Sequence, residues 1–165
     1  MDFTPPIRTP SAGREGDAEA EKKRKFCLIV DDNRSDQVLL RKALEENRVD
    51  EEVRFVDGGR EMVDILEQGK PTLLRPEPFL PCLILLDLYM PRMDGHEALR
   101  IIKSDLSLKK IPTVILTSSH NLDDIVQSYH DGANSFLTKP QEYDRLVSLI
   151  GLVKHYWLEE AQLPP

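Results

Sequence analysis

The sequence predicts an α/β protein in which a five-stranded parallel sheet is covered by helices on both sides. Two observations lead to this prediction. Five strand-like apolar runs alternate with helical stretches along the chain, which is the pattern of repeated β-α-β units. The three strongest runs, FCLIV, CLILL and TVIL, are almost continuously apolar, as expected of strands that are buried on both faces.

The predicted elements follow one another from residue 26 onward. Strands are predicted at 26–30, 53–56, 82–86, 113–116 and 134–137. Helices are predicted at about 35–46, 59–68, 95–104, 122–131 and 142–159. The last helix has the clearest pattern, because Leu146, Leu149, Ile150, Val153 and Trp157 fall on one face. The proline-bearing stretch between the second helix and the third strand predicts a long loop.

The length and composition limit what kind of protein this is. A chain of 165 residues is most simply one domain, which we place at 25–160, between a disordered tail at 1–24 and a short tail at 161–165. No apolar run reaches the roughly 18 residues of a membrane helix, and the N-terminus lacks a signal core, so we expect a cytoplasmic protein. The net charge is −7, with the residues after 25 contributing −8, which argues against nucleic-acid binding.

Acidic residues follow two of the most apolar strands. Asp31 and Asp32 come directly after FCLIV, and Asp87 comes directly after CLILL. Thr117 and Lys139 follow the fourth and fifth strands in the same way. Because parallel strands all end at one edge of the sheet, we expect the three carboxylates, the hydroxyl and the ammonium to meet there.

This set of groups is suited to phosphoryl transfer. Three neighbouring carboxylates repel one another and therefore call for a cation, and Mg²⁺ typically takes one or two carboxylates together with a phosphate. A carboxylate can also attack phosphorus to give an aspartyl phosphate. A helix-capping turn is the alternative for Asp31 and Asp32 alone, but it does not explain Asp87. The sequence therefore predicts a metal-assisted phosphoryl acceptor.

Four motifs in this order resemble the receiver domains of two-component response regulators. They are Asp31-Asp32, the DLYMPRMDG stretch that begins at Asp87, Thr117-Ser118 and Lys139-Pro140. The resemblance covers about 26–158. It implies a CheY-like, flavodoxin-like doubly wound sheet with strand order 2-1-3-4-5 and five helices. It also implies a phosphoacceptor signalling protein rather than an enzyme.

The resemblance assigns a role to each matching residue. Asp87 would be the phosphoacceptor. The Mg²⁺ site would consist of Asp32 as a direct ligand, Asp31 as its partner through water, Asp87 and the backbone carbonyl of Tyr89. The switch residues that respond to the phosphoryl group would be Thr117, Lys139 and Phe136. Receivers usually have a cis peptide bond before the proline that corresponds to Pro140.

Parts of the second half of the chain resemble a narrower group, the single-domain regulators paired with phytochrome histidine kinases. The matching stretches are IKSDLSLKKIPTVILTSS, SYHDGANSFLTKP and HYWL. The resemblance implies a histidine kinase of the phytochrome type as phosphodonor. Because no output domain follows the last helix, we expect the signal to leave by protein–protein contact or by transfer of the phosphoryl group onward. Apolar residues off the core face, such as Val126 and Leu152, favour a homodimer through helix 4, strand 5 and helix 5 over simple edge packing.

Two other functions remain as alternatives. A receiver fold can serve as a phospho-independent scaffold, but such a scaffold has no need of the complete set of acids and the lysine. A phosphatase that works through an aspartyl phosphate usually has a second acid two residues after the nucleophile, and here that position is Tyr89.

Overall fold

A computed structural model describes residues 25–164, and the predicted tail at 1–24 lies outside them. The chain forms one five-stranded parallel sheet in the order β2-β1-β3-β4-β5, which confirms the predicted topology. The strands are Phe26–Val30 (β1), Glu52–Val56 (β2), Leu83–Leu86 (β3), Thr113–Thr117 (β4) and Ser135–Thr138 (β5). The helices are Arg34–Glu46 (α1), Gly59–Gly69 (α2), Gly95–Ser104 (α3), Leu122–His130 (α4) and Tyr143–Val153 (α5).

The sheet has a separate apolar core on each of its faces. Successive residues of β1 point to opposite faces, so that Leu28 belongs to one core and Ile29 to the other. Helices α2 and α3 contribute to the first core, whereas α1 and α5 contribute to the second. This two-sided burial is the reason for the continuous apolar runs in β1, β3 and β4.

Side-chain caps start three of the helices close to the carboxyl edge of the sheet. Asn33 accepts two backbone N–H bonds at the start of α1, Asp94 accepts one at α3, and Asn121 accepts one at α4. Such caps satisfy donors that the first turn of a helix leaves without partners. The first turns of these three helices are therefore fixed close to the predicted site.

Gly95 lets α3 begin in contact with the end of β3. A Cβ atom at this position would lie 2.3 Å from the backbone oxygen of Asp87 and 2.7 Å from Leu88 Cα. The Gly95 N–H donates to the Leu88 oxygen at 2.8 Å. Only a residue without a side chain fits against this backbone, so Gly95 helps to place Asp87.

The last predicted helix changes geometry part of the way along. After α5 the chain continues as a π-helix at Lys154–Glu160, rather than as α-helix to residue 159. The Ala161 N–H donates to the Tyr156 oxygen, five residues earlier, at 2.8 Å. The wider turn lets the adjacent residues Trp157 and Leu158 both pack against the second core.

The peptide bond before Pro140 differs from the expectation. Residues 25–164 contain no cis peptide bond, so the Lys139–Pro140 bond is trans. The Lys139 N–H donates to the Thr117 oxygen at 2.7 Å, which extends the pairing of β4 with β5 up to the proline. The trans isomer is also the intrinsically favoured one, by roughly 0.5–1 kcal/mol for a bond before proline.

Candidate functional site

The carboxyl edge of the sheet gathers the predicted site residues. Asp31 follows β1, Asp87 follows β3, and Lys139 follows β5, while Thr117 is the last residue of β4. One ligand oxygen from each of Asp31, Asp32 and Asp87 lies within 4.8 Å of the others. Asp31 and Asp87 are buried and Asp32 is exposed, so the cluster has a buried floor and an open side.

Backbone contacts hold the two buried carboxylates in place. The Asp31 N–H donates to the Val56 oxygen and the Asp87 N–H to the Val30 oxygen, each at 3.0 Å. The Leu88 N–H donates to Asp87 Oδ1 at 2.8 Å. One oxygen of Asp87 is therefore fixed by the backbone, and Oδ2 remains directed toward the other charged groups of the site.

Lys139 contacts three acids at once. Its Nζ lies 2.6 Å from Asp31 Oδ2, 2.9 Å from Asp36 Oδ2 and 3.5 Å from Asp87 Oδ2. The lysine side chain is only 9% exposed, so these interactions are weakly screened by water. The ammonium therefore acts as the counter-ion of the acidic cluster in this structure.

Burial and charge act in opposite directions on the ionisation of Asp31 and of Lys139. Burial raises the pKa of Asp31 above its ordinary value, although the hydrogen bond from Lys139 works against it. Burial alone would lower the pKa of Lys139, but the charges of Asp87 and Asp31 outweigh it and raise that pKa. Lys139 is thus protonated at neutral pH, and the ionised form of Asp31 carries an energetic cost that a second cation would relieve.

Within residues 25–164, the other two predicted switch residues, Thr117 and Phe136, make no hydrogen bond with the three clustered acids. Thr117 is fully buried, and its Oγ1 accepts the Ser119 N–H at 3.4 Å. Phe136 is partly buried against the first core. Tyr89 is 61% exposed, and its hydroxyl donates to Asp124 Oδ2 at 2.5 Å. Pro140 follows Lys139 at the end of the β5 pairing.

Two acids of the site were not predicted from the sequence. Asp36 joins Lys139 across 103 positions of the chain, and Asp124 joins Tyr89 across 35. Each lies in the first turn of a helix, where acidic residues are common because they interact favourably with the helix dipole. Their positions alone therefore carry no functional signal.

The groups fit a hard divalent cation. Mg²⁺ binds oxygen ligands and retains several waters, and three carboxylates with one exposed side supply both conditions. Within residues 25–164, this is the one group of at least three His, Cys, Asp or Glu side chains that could hold a metal ion. In the same residues, no helix is long and apolar enough to cross a membrane.

Comparisons with known proteins agree with this geometry. Residues 27–151 match the family described as "Response regulator receiver domain". The chain is 36% identical to the response regulator Rcp1 of Synechocystis sp. over 140 residues, which cover 85% of this chain and 93% of Rcp1. The crystal structure of the Mn²⁺-bound form of Rcp1 superposes with a TM-score of 0.75 at 35% identity and covers 86% of this chain and 99% of that one.

Two further solved structures have a similar fold and sequence. The phosphorylated cyanobacterial phytochrome response regulator RcpA gives a TM-score of 0.76 at 38% identity, covering 86% of this chain and 99% of RcpA. The bacteriophytochrome response regulator RtBRR gives a TM-score of 0.65 at 35% identity, covering 86% of this chain and 84% of RtBRR. From its sequence, its fold and its acidic edge, the chain belongs to the response regulator receiver domain family, the phosphoacceptor signalling proteins.

Proposed function

We propose that this protein is a single-domain response regulator that accepts a phosphoryl group from a histidine kinase on Asp87, with Mg²⁺ as cofactor. The observation that carries the proposal is the carboxylate cluster of Asp31, Asp32 and Asp87, in which Lys139 lies 3.5 Å from Asp87 Oδ2. A nucleophilic carboxylate, a cation site and a fixed ammonium are the three groups that transfer to an aspartate needs.

Several residues of the cluster would bind the metal ion. Asp32 and Asp87 would hold Mg²⁺, Asp31 would assist through water, and the backbone carbonyl of Tyr89 would complete the protein ligands. When bound, the ion supplies positive charge that offsets the repulsion between the carboxylates and the incoming phosphoryl oxygens. Support for a divalent cation comes from the fit of the acids and from the Mn²⁺-bound form of Rcp1.

Asp87 is oriented for nucleophilic attack. Because Leu88 N–H holds Oδ1 at 2.8 Å, the carboxylate plane is fixed and Oδ2 is the oxygen available for reaction. Oδ2 forms a bond to the phosphorus of a phosphohistidine as the bond from phosphorus to the histidine nitrogen breaks. The electron pair of that bond leaves with the imidazole of the kinase. Lys139, beside Oδ2, would then bind one of the phosphoryl oxygens.

The response to the phosphoryl group would involve the neighbouring strands. The Thr117 hydroxyl would turn from the Ser119 N–H toward a phosphoryl oxygen. Phe136, which is partly buried against the first core, would follow by moving further inward. A change at these two residues would reach α4 and the end of β5, because Phe136 lies in β5 and its backbone N–H donates to the Tyr129 hydroxyl of α4 at 3.2 Å.

The partners are inferred from the relatives and from the surface. RcpA and RtBRR are described as phytochrome and bacteriophytochrome response regulators, which supports a phytochrome-type histidine kinase as phosphodonor. Exposed apolar side chains lie on α4 and on the last helical segment, and they support a homodimer through α4, β5 and α5. These side chains are Leu122, Val126, Tyr129, Leu152 and Tyr156, all more than half exposed.

The test is the mass of the intact protein after incubation with acetyl phosphate, with and without Mg²⁺. We expect a gain of one phosphoryl group that depends on Mg²⁺ and is lost in Asp87→Asn. Asp94→Asn is the matched control, because it removes an acid from the same loop while asparagine still caps α3. Absence of any gain in the unmodified chain would instead support the phospho-independent scaffold.

A further inference from the structure

Asp124 in the first turn of α4 ties together segments that are far apart in the chain. Its Oδ2 accepts hydrogen bonds from the Tyr89 hydroxyl, at 2.5 Å, and from the Ser119 hydroxyl. Its Oδ1 lies 3.7 Å from His96 Nε2 on α3. A single carboxylate therefore joins the β3–α3 loop, the β4–α4 loop, α3 and α4.

The two hydroxyl donors adjoin the groups proposed to react. Tyr89 is two residues after Asp87, and Ser119 is two residues after Thr117. The Ser119 N–H also contacts Thr117 Oγ1 at 3.4 Å. Asp124 thus links the loop of the phosphoacceptor to the loop of the threonine without contacting either residue itself.

The environment of Asp124 leaves its carboxylate little freedom to rotate. The His96 ring lies between Asp124 and a second acid, with its Nδ1 3.3 Å from Asp131 Oδ2. The Asp131 side chain is only 3% exposed and accepts a hydrogen bond from Gln127 at 2.8 Å. The Asp124 side chain is itself only 16% exposed. The acceptor is consequently fixed, while one of the donors it holds, Tyr89, lies on the surface.

Two hydroxyl groups donate to the same oxygen of Asp124, that of Tyr89 from the β3–α3 loop and that of Ser119 from the β4–α4 loop. Because the Tyr89 side chain is largely exposed, packing does not fix the ring, and its position depends on the hydroxyl bond.

We propose that Asp124 is a positioning residue that holds the Tyr89 ring beside the phosphorylation site and so slows hydrolysis of the phosphoaspartate. This inference rests on the proposed function of Asp87. In the hydrolysis, a water oxygen bonds to phosphorus as the bond from phosphorus to Asp87 Oδ2 breaks, which gives inorganic phosphate and a free carboxylate. The proton of the water passes to the phosphate or to solvent. A ring held across one side of the site limits the directions from which that water reaches the phosphorus.

The experiment measures the first-order loss of the phosphoryl group by intact mass, after the phosphodonor is removed and with Mg²⁺ present. We expect Asp124→Ala and Tyr89→Phe each to speed the loss roughly three- to tenfold, the usual size of a coupling between contacting residues. The double variant should lose the group no faster than the faster single variant, because both changes break the same hydrogen bond. If the rate increases of the two single variants multiply in the double variant, the two residues act independently and the inference is wrong.

Asp123→Ala provides the matched control. Asp123 lies in the same first turn and is exposed. Its backbone N–H donates to Asn121 Oδ1 at 3.0 Å, and within residues 25–164 its carboxylate makes no hydrogen bond or ion pair. Its substitution removes the same charge from the start of α4, so we expect the rate of the unmodified protein. If Asp123→Ala speeds the loss as much as Asp124→Ala does, helix charge is the cause and the positioning role is wrong.

Asp124→Asn gives a second, milder test of the positioning role. Asp124→Asn keeps one acceptor oxygen for Tyr89 and should therefore give a rate between those of the unmodified chain and Asp124→Ala. A protein that is phosphorylated normally but whose loss rate is the same in Asp124→Ala would overturn this inference alone. If the unmodified chain gains no phosphoryl group at all, the proposed function is wrong. The inference, which rests on it, is then wrong as well.

Discussion

Lys139 lies closer to Asp31 than to the proposed phosphoacceptor, with its Nζ 2.6 Å from Asp31 Oδ2 and 3.5 Å from Asp87 Oδ2. A divalent cation that bound between these carboxylates would compete with the ammonium for Asp31. Lys139 would then be free to turn toward a phosphoryl group on Asp87. In the proposed function, the lysine would therefore have a second set of partners in the phosphorylated state.

Lys139→Ala should separate acceptance of the phosphoryl group from the response to it. The remaining acids still form a cation site, so we expect phosphorylation to continue, slowed about tenfold or more because one positive charge beside the transferring group is lost. The phosphorylation-dependent shift in oligomeric state should disappear. Phosphorylation is measured by intact mass, and the shift by size exclusion. A normal shift in Lys139→Ala would contradict the role of this residue, and Lys42→Ala, on the exposed side of α1, serves as control.

Asp31→Asn should raise the thermal stability of the metal-free protein at neutral pH. Burial raises the pKa of Asp31 from its ordinary value of 3.8. A carboxyl group with a raised pKa stabilises the folded state fully below its unfolded pKa, and this contribution is lost as the pH rises through the folded pKa. The ionised group therefore costs stability at pH 7, and its neutral replacement should raise Tm.

Melting curves in EDTA at pH 7.5 and pH 4.5 check this prediction. The advantage of Asp31→Asn should shrink at the lower pH, because Asp31 becomes protonated in the unmodified chain. Added Mg²⁺ should stabilise the unmodified chain but not the variant. A lower Tm of the variant at neutral pH would show that the pairing of Asp31 with Lys139 outweighs its burial cost.

Gly95→Ala should displace the phosphoacceptor. The new Cβ would lie 2.3 Å from the backbone oxygen of Asp87, which requires the start of α3 to move away from β3. We expect a loss of about 1–3 kcal/mol in unfolding free energy and slower phosphorylation, measured by denaturant unfolding and by intact mass. Gly58→Ala is the control, because a Cβ there has no neighbour within 4 Å and Gly58 is in extended backbone. Equal behaviour of the two variants would argue against the close contact.

Val126→Glu should prevent association through α4. Val126 is 69% exposed and lies among the other apolar side chains of that surface, so a charge there would have to be buried in a dimer. The variant should remain monomeric with bound beryllofluoride, as judged by light scattering. Leu106→Glu changes a residue that is 79% exposed in the loop after α3 and should leave association intact. Dimers of Val126→Glu at normal affinity would exclude this surface.

The strands and the acidic edge were predictable because simple rules govern them. Continuous apolar runs identify buried parallel strands, and parallel strands end at a common edge of the sheet. Because β1 and β3 are adjacent, Asp31 and Asp87 lie close together at that edge. Asp36 was not predictable, since its role depends on where the long side chain of Lys139 ends. Neither was Asp124, because an acid in the first turn of a helix needs no further explanation.

The geometry at the end of the chain was also beyond the sequence pattern. Helical periodicity identified α5 correctly, but an α-helix and a π-helix differ by a fraction of a residue per turn. Whether Trp157 and Leu158 both turn toward the core depends on the shape of the surface that they cover. The isomer before Pro140 likewise depends on local backbone contacts, such as that of the Lys139 N–H with the Thr117 oxygen.

The register of β1 has a consequence for the synthesis of this protein. Cys27 pairs with Val53 on one side and with Leu83 on the other, so the strand that ends at Val30 gains its second neighbour late in the chain. At about 5–20 residues per second, several seconds pass on the ribosome between the emergence of β1 and that of β3. During that time an apolar strand has open edges, which favours pairing with other chains. We therefore expect nascent chains of this protein to depend on chaperones more than their small size suggests.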